Sequence, residues 1–452
     1  MVSQKRVGLL PHEFPGLLQT VMLGLQHFIA IFPATVLVPL LTGFNVSVTL
    51  FASGVATLTA LAVNKFRIPL YYGSSFSAIP AVLVIATTSG NRVAQVGIFV
   101  AGFVQILMGY LITKVGPARV YRLLPPRVTG PVAMIIAYSL SAVAIDWASG
   151  SCCGYPQGNL TWWTVAAASC LAILLWSVLA KKGLLAMLPI LGGALVGYGV
   201  AGLVGLLDFS KVATAQLLRI PEITFPDFTD PGVLSAILAI VPVVIATIPE
   251  SFAHLLQIGA AVDQIAQETG KKPKVNIRQL AGINQISDGI GDVITGFFGG
   301  TMGTNYGETV ATVVVSRVSS VYPVAAAAVI AILSSFSGHL EALINTIPTA
   351  VTGGLAIYLF GAFGVVGIKM LREVEGDLLD PENLAVIAPI LIIGIAGGNK
   401  WGGSLPIPLA GKLAELLPGG VAAIALAALV GILVNQVILA VKRKDHPVTV
   451  QS

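Results

Sequence analysis

Glu250 interrupts an otherwise apolar stretch, Val241-Pro242-Val243-Val244-Ile245-Ala246-Thr247-Ile248-Pro249-Glu250-Ser251-Phe252-Ala253-His254, which holds no Lys or Arg. A carboxyl inside a membrane-length apolar segment is costly to keep, so its presence points to function. His254 follows four residues later and shares a helical face with it. Glu308 opens another run, just after Gly303-Thr304-Asn305-Tyr306-Gly307. Asp288 and Asp292 are also four apart, placed either deep in a bundle or toward its inner end. His27 lies in the first apolar run. A carboxyl without a countercharge in low dielectric can hold a proton near neutral pH. Protonated, it donates one hydrogen bond and accepts another, which complements the N–H/C=O edge of a cyclic amide such as a nucleobase. Ionised, it accepts from two N–H groups. One residue can thus link proton binding to substrate binding.

Simpler roles stay open for several of these residues. Asn305-x-x-Glu308 fits a capping-box variant, in which the Glu satisfies a backbone N–H. His254 can act only as a brace for Glu250, and His27 as an interhelical hydrogen-bonder.

The elements that must position these groups are membrane helices. The 452 residues are 56% hydrophobic and 10% charged, whereas a soluble domain carries about 25% charged residues. Spans need about 20 apolar residues each. Full-length candidates run roughly over 17–38, 48–64, 94–114, 128–146, 162–180, 186–206, 232–260, 321–337, 343–368, 384–397 and 418–441. Shorter or interrupted ones cover 69–89, 282–299 and 301–316. The fold class expected is an all-α polytopic membrane protein of about 14 spans, with both termini cytoplasmic. That orientation puts all of the 25 Lys and Arg inside except Arg92, Lys211, Arg219, Lys400 and Lys412, as the positive-inside rule requires. It also accounts for the net charge of +5 without a nucleic-acid partner.

The two halves echo one another. Gly73-Ser74-Ser75-Phe76 matches Gly303-Thr304-Asn305-Tyr306 in residue type, and Val128-Thr129-Gly130 recurs as Val351-Thr352-Gly353. An odd number of spans per half makes the halves inverted, a plan frequent in secondary transporters. The third and tenth spans are expected to hold short extended segments, around Ser74 and Ser75 and around Thr304 and Asn305, each leading into a half-helix. The free N–H groups of two half-helix ends would form a polar site near the midplane. Gly102, in the fourth span, is expected to lie away from that site and to tolerate a larger side chain better than Gly307.

Other classes are excluded by what is missing. The chain has no His-Glu-x-x-His, no Gly-x-Ser-x-Gly and no Gly-x-x-x-x-Gly-Lys-Ser/Thr, so neither an intramembrane enzyme nor direct ATP drive is expected. Cys152, Cys153 and Cys170 match no zinc-ligand spacing. No metal or cofactor is expected, and no cleavable leader is expected ahead of the first span.

At these residues the chain resembles the nucleobase–ascorbate transporter family, and within it the bacterial uracil permeases. The resemblance runs from Leu25-Gln26-His27 and Ala34-Thr35-Val36-Leu37-Val38-Pro39 through Leu124-Pro125-Pro126-Arg127-Val128-Thr129-Gly130 to Gly296-Phe297-Phe298-Gly299-Gly300. Glu250 with His254, and Asn305-Tyr306-Gly307-Glu308, carry it most specifically. It implies a core domain of residues 17–116 and 232–337, a gate domain of residues 119–206 and 343–441, and proton-coupled uptake of a nucleobase. It further implies that Glu250 and Glu308 bind the base, that His254 supports Glu250, and that Phe76, Tyr306, Gly307 and Ala30 line the pocket. The partners implied are a nucleobase, a proton and the bilayer of a bacterial inner membrane, with a homodimer left open. Thr304 stands where relatives carry Gln, Glu or Pro, and Val313 where they carry Arg, Lys or Gly. Thr304 tilts the expectation toward uracil and leaves xanthine or urate open.

Overall fold

The structure is a computed structural model, and it describes residues 8–116, 124–139, 141–180, 188–400, 404–408 and 421–445. It is a helical bundle with a two-stranded sheet at its centre. The first half contains α1 (Leu17–Thr42), α2 (Val46–Val63), β1 (Tyr72–Ser74), α3 (Ile79–Thr88) and α4 (Asn91–Val115). After these come α5 (Pro126–Ser139), α6 (Ser141–Ser149), α7 (Leu160–Leu179) and α8 (Pro189–Leu203). The second half contains α9 (Val233–Ile240), α10 (Val244–Thr269), α11 (Ala281–Phe298), β2 (Gly303–Asn305), α12 (Gly307–Ser316) and α13 (Val321–Ser335). It ends with α14 (Thr349–Leu371), α15 (Pro381–Lys400) and α16 (Ala423–Asp445).

Among the described residues, eight helical segments are long and apolar enough to cross a membrane, and five shorter apolar helices accompany them. The chain is a multi-pass membrane protein. Many of its large apolar side chains, such as Leu160, Leu175 and Leu179, stay exposed, as expected where lipid rather than water covers the surface.

Local chemistry sets the ends. Gly43 and Gly270 close α1 and α10 in the left-handed conformation, and Asn45 caps α2 by accepting from Val48 N–H. Three boundaries differ from the sequence reading. The span expected at 232–260 breaks at Val241–Val243, where Pro242 interrupts the ladder, and then continues to Thr269. Its extra turns carry Asp263 and Glu268, which pair with Arg278 and Arg317 beyond the apolar zone. The span expected at 343–368 begins only at Thr349, because Pro348 separates it from the short helix Gly338–Ile344. The last helix starts at Ala423, and part of the expected 418–441 span lies outside the described residues.

Helices α4 and α11 approach so closely that a Cβ at Gly102 would sit 2.6 Å from the Gly289 carbonyl oxygen and from the Val293 nitrogen. Gly102 is therefore not a tolerant position, contrary to expectation. Backbone, which cannot swing aside, occupies the space a side chain needs.

Strands β1 and β2 pair antiparallel, Tyr72 with Asn305, Gly73 with Thr304 and Ser74 with Gly303. The extended segments expected in the third and tenth spans are these two strands. Their backbone lies far from water, so each polar group needs a protein partner. Ser75 N–H donates to Met302 O, and Tyr306 N–H to Tyr71 O. On the outer edge of β1, Thr57 Oγ1 accepts from Tyr72 N–H and donates to Tyr72 O. On the outer edge of β2, Asp292 Oδ1 accepts from Gly303 N–H at 2.8 Å.

Candidate functional site

Each strand feeds a half-helix. Ser75 is extended and precedes a 3-10 turn, Phe76–Ala78, which runs into α3. Tyr306 is extended and is the N-cap of α12, with no side-chain cap. The first N–H groups of α12 are thus free of a capping side chain. Asn305 does not form the capping box: its side chain is engaged elsewhere, and Glu308 lies in the first turn of α12.

The strands cross face to face through tyrosines. A Cβ on Gly73 would lie 2.5 Å from the Tyr306 ring, and one on Gly303 would lie 2.5 Å from the Tyr72 ring. Only glycine lets each ring cover the opposite strand. The Tyr306 hydroxyl donates to Ser74 O at 3.0 Å and lies 3.2 Å from Thr35 Oγ1. Its ring stacks on Tyr71, centroids 6.1 Å apart.

Glu250 projects from the second turn of α10, next to Pro249, and is within electrostatic reach of Glu308 and Asp288. Phe76, Glu250, His254, Gly307 and Glu308 are half-buried, while Ser74, Ser75, Thr304, Asn305 and Tyr306 around them are buried. His254 of α10 faces Gly307, and Glu250 of α10 lies within electrostatic reach of Glu308, so these four residues meet at the start of α12. Among the described residues, no side chain of another residue bonds or pairs with the carboxyl of either glutamate, and the Glu308 carboxyl accepts from its own backbone N–H. Two carboxyls thus stand without a countercharge beside a half-helix N-terminus.

His254 Nδ1 lies 3.0 Å from both the backbone oxygen and Oδ1 of Asn305. Its Nε2 faces Gly307, 2.9 Å from where a Cβ would stand. Among the described residues no hydrogen bond joins His254 to Glu250, so the brace runs from α10 to β2. Asn305 Nδ2 then donates to Ser251 Oγ at 2.9 Å, and Ser251 Oγ donates to Asp288 Oδ2 at 2.5 Å. Asn284 Nδ2 also donates to Ser251 Oγ, at 2.8 Å. Asp288 and Asp292 are both buried beside the strands, not at the inner end of the bundle.

Some expected residues stand apart from this network. Ala30 and His27 are buried in α1, and among the described residues His27 Nδ1 has no hydrogen-bond partner. Thr304 Oγ1 is likewise buried without a partner. Ser74 Oγ accepts from Thr301, Ser75 Oγ lies 2.6 Å from Ser77 Oγ, and the Phe76 ring packs 5.9 Å from Phe363. Sequence reasoning missed Tyr72, Ser251 and Asn284. Asn284, Asp288, Asp292 and Thr295 recur at helical spacing along one stripe of α11, which is the signal that would have found that face.

The sequence is matched by a known family. The model of the Permease family, Xan_ur_permease, matches residues 18–399. The chain belongs to this family. A relative named uracil permease from Bacillus caldolyticus is 36% identical, over 94% of this chain and 93% of its own length. Uracil permeases of Bacillus subtilis (strain 168) and Escherichia coli (strain K12) are 32% and 33% identical, covering 98% and 88% of this chain and 98% and 89% of their own lengths. The family's members are thus named as permeases and not as enzymes. Among solved structures, the transmembrane domain of a cyanobacterial bicarbonate transporter, BicA, superposes with a TM-score of 0.56 at 16% identity, covering 94% of this chain and 98% of its own. The murine Slc26a9 anion transporter in its inward-facing state gives 0.63 at 11% identity, over 95% of this chain and 70% of that one. These two likenesses concern the fold.

Proposed function

We propose that this permease imports a nucleobase, uracil first, together with protons and by alternating access. The observation that carries the reading is the pair Glu250 and Glu308, half-buried and without a countercharge beside the N-terminus of α12; with Phe76, His254 and Gly307 we take them to line one substrate hollow. A protonated Glu250 donates to a base carbonyl and accepts from the adjacent N–H. Glu308 takes a second N–H. Gly307 lets the base approach the free backbone N–H groups, while Phe76 and Tyr306 bound the ring and Ala30 leaves room behind it. Release of the proton from Glu250 then removes the hydrogen bond it donates, one of the three that hold the base. The relatives' names support uracil as the base. Xanthine or urate is the alternative.

The same reading includes fourteen spans in two inverted repeats. α11 and the two half-helices at the strands are short or polar for spans, yet they run at the depth of the others. Two contacts support the inversion. Exchanging the strands by the offset of 230 residues turns the pair Gly73–Thr304 into Gly303–Ser74, and both pairs occur. In the proposed gate domain, a Cβ on Gly130 meets Leu371 and one on Gly353 meets Ala148. The offset of 223 interchanges these two contacts. Residues 17–116 and 232–337 then form the core domain, and 119–206 and 343–441 the gate, in a bacterial inner membrane with both termini cytoplasmic.

An anion carrier is the second reading, favoured by the titles of the two structural neighbours. Two carboxylates in the hollow would repel an anion, which weighs against it. Uptake of labelled uracil, competed by unlabelled uracil, xanthine, urate, bicarbonate and sulfate, separates the readings. Competition by uracil alone is the expected result, and competition by the anions contradicts it.

A further inference from the structure

The proposed transport cycle leaves Asp292 unused, yet its surroundings are specific. The Tyr72 ring passes between Gly291 of α11 and Gly303 of β2, where a Cβ on either glycine would collide with the ring. Its hydroxyl, past that gap, donates to Asp292 Oδ1 at 2.6 Å. The same oxygen accepts Gly303 N–H at 2.8 Å. Asp292 is fully buried, and Oδ2 has no hydrogen-bond partner. One carboxylate oxygen therefore holds a side chain of β1 and a backbone group of β2 at once, and both are anchored to α11.

We infer that Asp292 is a positioning residue for transport, acting as an acceptor that fixes β1 against β2 and thereby the gap between the half-helix ends. The inference rests on the nucleobase reading for its link to substrate, but the tie itself does not. Tyr72 and Gly303 lie within five residues of Phe76 and Glu308, so a shift of either strand moves a wall of the hollow. Binding contacts are sensitive to displacements of about an ångström. What the tie needs from position 292 is an accepting oxygen, not an exchangeable proton.

The test compares Asp292→Ala, Asp292→Asn and Tyr72→Phe in the full-length protein. Asn keeps the accepting oxygen and cannot release a proton. Losing both hydrogen bonds to this buried acceptor is expected to raise the KM for uracil by about tenfold in Asp292→Ala, with Vmax per transporter in the membrane little changed. Tyr72→Phe, which removes one of the two donors, should give a smaller rise, and adding it to Asp292→Ala should change nothing more. Asp292→Asn should restore the KM and still accumulate substrate. A ligand-free readout accompanies these: hydrogen–deuterium exchange of the 72–74 and 303–305 amides in purified protein should quicken in Asp292→Ala and not in Asp292→Asn. If Asp292→Asn is as defective as Asp292→Ala, the acid itself matters and the inference is wrong. It is also wrong if Asp292→Ala keeps wild-type KM and exchange. If the wild type takes up no base, the nucleobase reading fails, and the exchange comparison alone decides the tie.

Discussion

In the proposed site Glu250 and Glu308 have different duties. Glu250 stands in α10 beside Pro249, whose missing N–H already loosens the local ladder. Glu308 sits in the first turn of α12, where a negative charge is favoured by the helix dipole. Replacing Glu250 by Gln keeps a donor and an acceptor but removes the proton that is exchanged. Glu250→Gln is expected to keep equilibrative uptake, with affinity reduced about tenfold or less for one perturbed hydrogen bond, and to lose accumulation against a gradient. Wild-type accumulation ratios would contradict this. Glu308→Gln should weaken uracil binding by about tenfold and leave the melting temperature of the ligand-free protein unchanged. A fall in stability with affinity retained would return Glu308 to a helix-end role. The two glutamates were legible in the sequence because a lone acid in an apolar run stands out. The partner of His254 was not: spacing of four pointed to Glu250, whereas its ring bonds Asn305, 51 residues further on. Such a pairing depends on where β2 crosses α10, and local spacing carries no record of that.

At the scale of elements, β1, β2 and their half-helices form the proposed working centre. Their weak helix formers and their mirrored glycines made the interruption of the third and tenth spans legible. The direction and register of the pairing were not, since a four-residue match between distant segments does not state how they cross. The Gly102 expectation failed for a related reason: the contact of α4 with α11 brings backbone to backbone, and no apolar pattern encodes that depth of approach. Gly307 remains the sharpest element-level probe, because a Cβ there would lie 2.9 Å from His254 Nε2, beside the proposed site. Gly361 in α14 is the suitable comparison, being exposed, with nothing within 4 Å of where a Cβ would stand. Gly307→Val is expected to abolish uptake at normal membrane abundance, whereas Gly361→Val should retain most of it. Equal losses at equal abundance would mean general helix damage and would remove the support for a site at the start of α12.

For the whole molecule, the placement of charge is the feature that sequence alone made plainest, because lipid excludes charge wherever it lies along the chain. Arg92 and Arg219 pair with Asp227, Glu222 and Glu341 at one end of the bundle. Lys271, Arg278 and Arg317 pair with Glu13, Asp263 and Glu268 at the other. Helix α13 runs between them, from the neighbourhood of Arg317 to Ser337, which bridges Leu218 beside Arg219. The proposed topology puts the first end outside, together with the exposed, disulfide-bonded pair Cys152 and Cys153. An impermeant maleimide applied to intact cells after an impermeant reductant should therefore label these cysteines. Labelling only after permeabilisation would invert the topology.

The central claim, that a proton gradient drives a nucleobase through this hollow, is tested most directly with purified protein in liposomes. Labelled uracil is offered outside, with the outside acidic relative to the lumen and no other energy source. The account predicts uptake above the equilibrium level that collapses when a protonophore is added, and its absence in Glu250→Gln. Uptake that only equilibrates at every imposed pH gradient, or that accumulates equally in Glu250→Gln, would contradict it.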